Sequence, residues 1–262
     1  YSLPQFNGIC LTQQEKTTYT YKGLLCDPQS RNVGLPLNNQ GEYPMFCFVA
    51  NSWTAPIRIA DLENSDFEDA DATVYIMNTG TFKEARNQQG NESLTGQAKL
   101  NGQYNVIPVH AAPYLSDALQ VIPSMQGFFV RRQGRVNTTS PTNLSLDYKK
   151  LIYDVNYNLS TESARAPRRA VEDGIHTLHL MVENAYWADA VDMLEGDEFT
   201  EGFDQGWDGR KMQGHDTKVS LSVQTVDGNM AVAALNDWEN VPLAFKGMKG
   251  LPYIFTISNV DA

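Results

Sequence analysis

The residues Val219-Ser-Leu-Ser-Val-Gln-Thr-Val226 decide the fold class of this chain. Apolar and polar side chains alternate along them, as in a β-strand with one buried face. The sequence Asp227-Gly-Asn229 follows as a hairpin turn, and residues Met230 to Leu235 predict the returning strand. Short runs of this kind recur along the chain between Gly, Asn, Asp and Pro clusters, and long helical patterns are almost absent. The sequence therefore predicts an all-β protein of antiparallel strands.

One segment without a strand pattern divides the chain. Residues Ser160 to Val171 have low hydrophobicity and a proline at Pro167, which is typical of a linker or an exposed crossover. We therefore predict two antiparallel β-sandwich domains of jelly-roll or immunoglobulin-like type, formed by residues 1–158 and 159–262. The second domain offers five or six strand patterns, whereas a sandwich usually needs about seven. We expect it to lack its last strands.

The charge balance excludes several classes of partner. The formal net charge is −11 and the isoelectric point is near 4.8. Nucleic-acid binding through phosphates and docking on anionic lipid both require a basic surface, so neither is expected. No apolar run approaches the roughly 18 residues of a membrane-spanning helix, so membrane insertion is not expected either. The composition favours a soluble protein that is secreted or exposed on a cell surface.

The three cysteines do not indicate a metal site. Their positions, Cys10, Cys26 and Cys47, fit no zinc-binding spacing. Cys47 lies in an apolar run and is predicted to be a buried, unreactive side chain. A disulfide between Cys10 and Cys26 remains open as an alternative.

The densest motif is Glu201-Gly-Phe-Asp-Gln-Gly-Trp-Asp-Gly-Arg-Lys-Met212, which we call the docking loop. Its glycines allow positive φ or close backbone approach, and its two aromatic residues could fix the loop to a core. Asp204 and Asp208 are spaced like the first ligands of a calcium loop. However, Gly206 stands at an intervening ligand position and the usual later glutamate is absent. Two interpretations therefore remain open. The two aspartates bind calcium, which would be the only cofactor expected, or they cap backbone N–H groups.

Aromatic side chains on predicted strands suggest a second kind of site. Trp53, Tyr75 and Tyr104 could form an exposed platform on which sugar rings stack, beside a polar insertion at residues 81–103. The alternative is that these rings pack against neighbouring strands, as most tyrosines in β-sheets do.

Catalytic motifs are absent from the sequence. It contains no phosphate-binding loop, no dinucleotide fingerprint, no His-Glu-x-x-His motif and no Gly-x-Ser-x-Gly elbow. Glycosidases need only two suitably spaced carboxylates, which 31 acidic residues would provide by chance. We therefore predict that the protein is not an enzyme, and keep a glycan hydrolase as a remote alternative.

Several stretches together resemble a family of secreted, cell-surface proteins of Bacteroides- and Prevotella-type bacteria, most of them uncharacterised adhesin-like modules. The stretches are Asn51–Ile57, Ala72–Gly80, Ile122–Val130, Ala166–Ala170, Phe199–Met212 and Asp227–Val232. The resemblance implies a secreted or cell-surface location, β-sandwich modules and no assigned catalytic residues. It also implies partners among other surface proteins or within a larger parent polypeptide.

The leading hypothesis is therefore a non-enzymatic surface module with a structural, adhesive or assembly role. The main alternative is a carbohydrate-binding module of a larger glycan-handling protein. An exposed strand edge in the second domain would indicate strand exchange with a partner or with another copy.

Overall fold

A computed structural model describes residues 4–9, 18, 20, 22–36, 43–77, 104–115, 121–134, 142–152, 174–212 and 218–258. Strands dominate these ranges, so the prediction of an all-β protein is confirmed. Three short 3-10 turns and one four-residue helix, α1 (Tyr148–Leu151), accompany the strands in the described ranges. Cys10, the insertion at 81–103 and the predicted boundary at 158/159 lie outside them. No helix in the described part of the chain is long and apolar enough to span a membrane.

The first half of the chain forms three small antiparallel sheets in the described ranges. A four-stranded sheet has the order β2-β7-β4-β5, and two strand pairs, β1–β8 and β3–β6, pack beside it. The strands are β1 (Arg31–Gly34), β2 (Phe46–Ala50), β3 (Ile57–Arg58), β4 (Thr73–Met77), β5 (Tyr104–Pro108), β6 (Val121–Ile122), β7 (Gly127–Arg131) and β8 (Asn143–Leu146).

The second half forms one larger sheet, whose described strands have the order β14-β12-β13-β10-β9-β15, with β11 also paired to β13. The strands are β9 (His176–Glu183), β10 (Ala188–Glu195), β11 (Gly209–Arg210), β12 (Ser220–Thr225), β13 (Gly228–Leu235), β14 (Leu243–Lys246) and β15 (Ile254–Ser258). The hairpin predicted from the sequence is present, because Thr225 at the end of β12 pairs with Gly228 at the start of β13.

One strand pair departs from the predicted antiparallel pattern. β10 and β13 are parallel, with Asp192 opposite Val232 and Glu195 opposite Leu235. Parallel neighbours need a long crossover connection. Here the docking loop, β11 and β12 all lie between the two strands in the sequence. The prediction that every strand pair is antiparallel is therefore wrong for β10 and β13, because a long crossover connects them.

Two clusters of buried apolar side chains hold the sheets together. The first, which we call the main core, combines residues of the first half with residues that follow position 158, among them Leu194, Phe199 and Val232. The second, which we call the sheet core, consists of second-half residues such as Val182 and Leu221. The division into domains 1–158 and 159–262, and their sandwich architecture, stay predictions.

Strand β13 lies between the two cores. Its residues Val232 and Ala234 belong to the main core, and Met230 and Ala233 belong to the sheet core. A strand buried on both faces is expected to carry a continuous apolar run, and residues Met230 to Leu235 form one.

Cys47 on β2 is buried, as its sequence context predicts. Its thiol donates a hydrogen bond to the Pro36 carbonyl oxygen, 2.9 Å away. Burial raises the pKa of this thiol to about 11, so it stays protonated and unreactive near neutral pH.

Candidate functional site

The docking loop holds its own shape through a tight turn. The backbone N–H groups of Trp207 and Asp208 both donate to the carbonyl oxygen of Asp204, at 3.0 and 2.9 Å. Gly206, within this turn, has φ +82°, a left-handed conformation that a residue with a Cβ adopts only at a cost. The glycines of the sequence motif therefore mark a backbone of fixed shape.

The tip of the loop binds the first half of the chain through backbone groups. The carbonyl oxygen of Gly206 accepts hydrogen bonds from the N–H groups of His110, at 2.8 Å, and Ala111, at 3.3 Å. The neighbouring Gln205 side chain donates to the Ala70 carbonyl oxygen at 2.7 Å. These contacts join the loop to the segments that follow β5 and precede β4.

The two aromatic residues of the loop pack against different cores. Trp207 packs against the main core, with its ring centroid 5.0 Å from that of Phe199 and 5.7 Å from that of Tyr114. Phe203 packs against the sheet core and lies under the guanidinium of Arg210, 4.3 Å from its ring centroid. The prediction that these rings anchor the loop is confirmed.

Asp208 of the docking loop bonds to groups from both halves of the chain. Its buried carboxylate accepts a hydrogen bond from the Ala234 N–H of β13, at 2.8 Å, and one from the Asp204 N–H, at 2.6 Å. Its backbone carbonyl oxygen accepts a third from the Thr73 hydroxyl of β4, at 3.0 Å. Burial raises the pKa of this carboxyl to about 7, although the two N–H donors lower it. One residue thus joins β4 of the first half to β13 of the second.

A second buried carboxylate lies at the same junction. The Asp71 carboxylate forms ion pairs with the guanidinium groups of Arg131 on β7, at 3.0 Å, and Arg210 on β11, at 3.5 Å. Burial raises the pKa of Asp71 above its ordinary value, and the two guanidinium groups partly offset that effect. The ion-pair network therefore also connects the two halves of the chain.

The predicted calcium ligands already have partners. One Asp204 oxygen accepts from the Thr200 N–H at 2.8 Å and the other from the Thr200 hydroxyl at 3.0 Å, while both Asp208 oxygens accept from backbone N–H groups. Within the described ranges no group of three or more His, Cys, Asp or Glu side chains is placed to hold a metal ion. The contacts fit the alternative of aspartates that cap backbone N–H groups, and calcium binding stays a prediction.

The three predicted sugar-stacking residues do not form a platform. Trp53 and Tyr75 are fully buried. Trp53 packs between Phe6 and Tyr148, at centroid distances of 5.3 and 5.1 Å. The expectation that Trp53 and Tyr75 are exposed is wrong, because their rings fill the interior. Tyr104 is half-buried and packs on Phe129 of β7, 5.7 Å away.

A different surface stands out at one border of the larger sheet. On β15, Phe255 lies opposite Val182 of β9, and Ile257 lies opposite Leu180. Residues directly opposite each other on paired strands point to the same face. Val182 and Leu180 belong to the sheet core, so Phe255 and Ile257 point toward the core side of the sheet.

The other border of the same sheet has the same arrangement. On β14, Phe245 lies opposite Leu221 of β12, and Leu243 lies opposite Val223. Leu221 and Val223 are buried in the sheet core, so the two β14 side chains also point toward it.

These four core-facing side chains are nevertheless exposed, and we call them the open edge. Leu243 is 41% exposed, Phe245 42%, Phe255 51% and Ile257 60%. The two borders approach each other, because the Phe245 ring lies 5.4 Å from the Phe255 ring and 5.1 Å from the Tyr253 ring. The sheet therefore curls around its core, and the apolar residues between its two borders remain uncovered.

The sequence predicts strands at both borders. The expectation that the second domain lacks its last strands implies an uncovered edge, but it does not identify the residues that form it. Alternation in Leu243–Lys246 and Ile254–Ser258 indicates which side chains point inward. Whether an inward side chain is covered depends on a neighbouring strand, which local sequence does not encode. The absence of charge and of proline in Ile254–Ser258 is the local signal that could have identified this border.

Comparison with known proteins gives one distant similarity. No protein-family model matches the chain, and no solved structure matches it. The minor fimbrium subunit Mfa5 of Porphyromonas gingivalis is 26% identical to the chain over 270 residues, which cover 99% of the chain. The chain spans only 21% of the length of that protein.

Substituting Gly206 by alanine tests the shape of the docking loop. A Cβ at this position would stand 2.5 Å from the Asn64 Oδ1 atom and closer still to the His110 ring. Positive φ and this overlap together should lower the free energy of unfolding by roughly 2 to 4 kcal/mol, measured by urea denaturation.

The matched control is Gly250→Ala. Gly250 has φ +85°, but no heavy atom lies within 4 Å of its added Cβ. This variant should lose only about 1 kcal/mol from backbone strain. Equal losses in the two variants would show that contact at the tip of the docking loop contributes nothing.

The raised pKa of Asp208 predicts how the free energy of unfolding depends on pH. Its folded pKa of about 7 exceeds its ordinary value of 3.8, so the folded protein holds this proton more tightly than the unfolded chain does. The resulting stabilisation is complete below about pH 4 and is lost as the pH rises to about 7. At about 1.4 kcal/mol per pKa unit, the change reaches up to about 4 kcal/mol.

The variant Asp208→Asn isolates this effect, because the amide does not titrate. The free energy of unfolding of the wild type minus that of the variant should fall from about pH 4 through about pH 7 and become level about one pH unit above that. A difference that is constant from pH 4 to pH 8 would contradict the assignment to Asp208.

Proposed function

We propose that this chain is a non-enzymatic module of a bacterial surface assembly, which joins a neighbouring subunit by accepting a β-strand at the open edge. The observation that carries the proposal is the exposure of Phe255 and Ile257, which point toward the sheet core. Exposed apolar side chains that face a core are a feature of a surface built to be covered.

Strand β15 has the properties of an accepting edge. It pairs with β9 on one side and with no other strand in the described ranges, and all five of its residues are exposed. An edge strand presents a row of N–H and C=O groups to which an incoming strand can bond. Protective features are missing here, since Ile254–Ser258 contains no charge and no proline.

The incoming strand would need an alternating apolar pattern. Its inward side chains would cover Phe255 and Ile257, while its backbone bonds to β15. Covering the exposed part of each of these two side chains would contribute roughly 1 kcal/mol, because complete burial contributes about 1.5–3 kcal/mol. Backbone pairing along five residues would give the interaction its register.

The similarity to Mfa5 supports a role in assembly. That protein is named a minor fimbrium subunit, and its similarity extends over 99% of this chain. We therefore assign the incoming strand to another subunit of a surface polymer. The remaining length of Mfa5 makes another segment of the same polypeptide the alternative source.

The variant Ile257→Lys tests the proposal. It places a charge on a core-facing side chain that is 60% exposed in the isolated chain, so folding should be unaffected. Incorporation into surface polymers should fall roughly tenfold or more, because the incoming strand would bury the ammonium group. Polymers extracted from cells that carry only the variant gene are measured by immunoblot after unheated electrophoresis.

The control is Val226→Lys. Val226 is 79% exposed in the turn between β12 and β13 and is not one of the four side chains of the open edge, so this variant should incorporate like the wild type. Normal incorporation of Ile257→Lys would overturn the proposal. If incorporation is normal but the variant lowers the thermal midpoint of the full-length polypeptide alone, the strand comes from the same polypeptide.

A further inference from the structure

A lysine and an aspartate meet inside the larger sheet, apart from the open edge. Lys211, near the end of the docking loop, places its Nζ atom 2.6 Å from Oδ1 of Asp189 on β10. The lysine side chain is 11% exposed and the aspartate side chain 3% exposed. The Lys211 ammonium also donates to the carbonyl oxygen of Ala190, at 3.2 Å.

The surroundings of this pair are apolar. Asp189 lies opposite Val182 of β9 and shares a strand face with Val191, and both valines belong to the sheet core. The two charged groups are therefore held in contact where little water reaches them.

Two backbone N–H groups hold the carboxyl group of Asp189. The Leu221 N–H donates to Oδ2 at 2.7 Å, and the Ala190 N–H donates to Oδ1 at 2.9 Å. Donors fixed on both oxygens draw electron density from the Cγ carbon between them, and they would stabilise negative charge that develops on either oxygen. An amine held beside such a carboxyl group has the arrangement required for acyl transfer.

We propose that Lys211 and Asp189 condense to form an intramolecular isopeptide bond. As the first part of the step, one proton passes from the Lys211 ammonium to Oδ1 of Asp189 across their 2.6 Å contact. The amine nitrogen Nζ then attacks Cγ and forms a tetrahedral intermediate. Oδ1 then takes a proton from the nitrogen and leaves as water, which breaks the Cγ–Oδ1 bond. The products are one Cγ–Nζ amide and one water molecule, so the step needs no oxidant, reductant or co-reactant.

Each contact has a role in this step. The Leu221 N–H bonds Oδ2, which carries the negative charge of the intermediate and becomes the amide oxygen. The Ala190 carbonyl oxygen orients the amine before attack. Fixed proximity of the two groups replaces the chance encounter that makes amide formation from free amines and carboxylates slow.

The bond would close a covalent ring around the docking loop. Lys211 and Asp189 are 22 positions apart, and nearly the whole docking loop lies between them. A cross-link restricts the unfolded chain, and this one would also keep the loop attached to β10 when the protein is pulled. It therefore favours resistance to force and proteolysis.

Mass spectrometry of the purified wild-type protein tests the proposal. The intact mass should be lower than the sequence mass by one water molecule. Trypsin should fail to cleave after Lys211 and should instead release a branched peptide that contains both Lys211 and Asp189. A wild-type protein at full sequence mass, cleaved normally after Lys211, would overturn the proposal without any variant.

The variant Lys211→Arg is the matched control, because it keeps the positive charge and the ion pair but lacks the amine. Its intact mass should equal its full sequence mass. If it also lacks one water molecule, dehydration occurs elsewhere in the chain and the proposed bond does not exist. A structural ion pair alone would give neither the mass loss nor the branched peptide.

Discussion

The buried carboxylate of Asp208 is the constraint on which the rest of the structure depends. It binds the backbone of β13 and the turn of its own loop, while its carbonyl oxygen binds the Thr73 hydroxyl of β4. A buried carboxylate without partners would be strongly unfavourable, so both of its oxygens need their N–H donors, and the backbone contact with Thr73 adds a link to the first half of the chain. The docking loop therefore holds its shape in contact with both halves of the chain.

This junction explains why the open edge is exposed while the remainder of the sheet is covered. β13 is buried on both faces, between the main core and the sheet core. At the two borders, β14 and β15 have a neighbouring strand on one side only in the described ranges, and their inward side chains remain accessible. A well-anchored sheet whose borders remain accessible suits a protein that adds a strand without unfolding.

The fold class was predictable from the sequence, and the site was predictable only in part. Alternation in Val219–Val226 and the following hairpin identified the strands, and the Gly-rich motif identified a loop of fixed shape. The parallel pairing of β10 with β13 was missed, because crossover connections cannot be read from local patterns. Trp53, in the loop between β2 and β3, and Tyr75, on β4, were misread as exposed, since local sequence does not reveal how far neighbouring elements cover a side chain. Lys211 and Asp189 meet only through the folded sheet, so spacing in the sequence gave no signal for their contact.

The most direct test of the central claim, that the docking loop unites both cores into one folding unit, is urea unfolding of two core variants. Leu144→Ala removes a buried side chain from the main core, and Leu221→Ala removes one from the sheet core. Each should lower the free energy of unfolding by about 2–5 kcal/mol and shift the same single transition, seen alike by circular dichroism and tryptophan fluorescence. Two separate transitions, each shifted by only one of the variants, would contradict the claim.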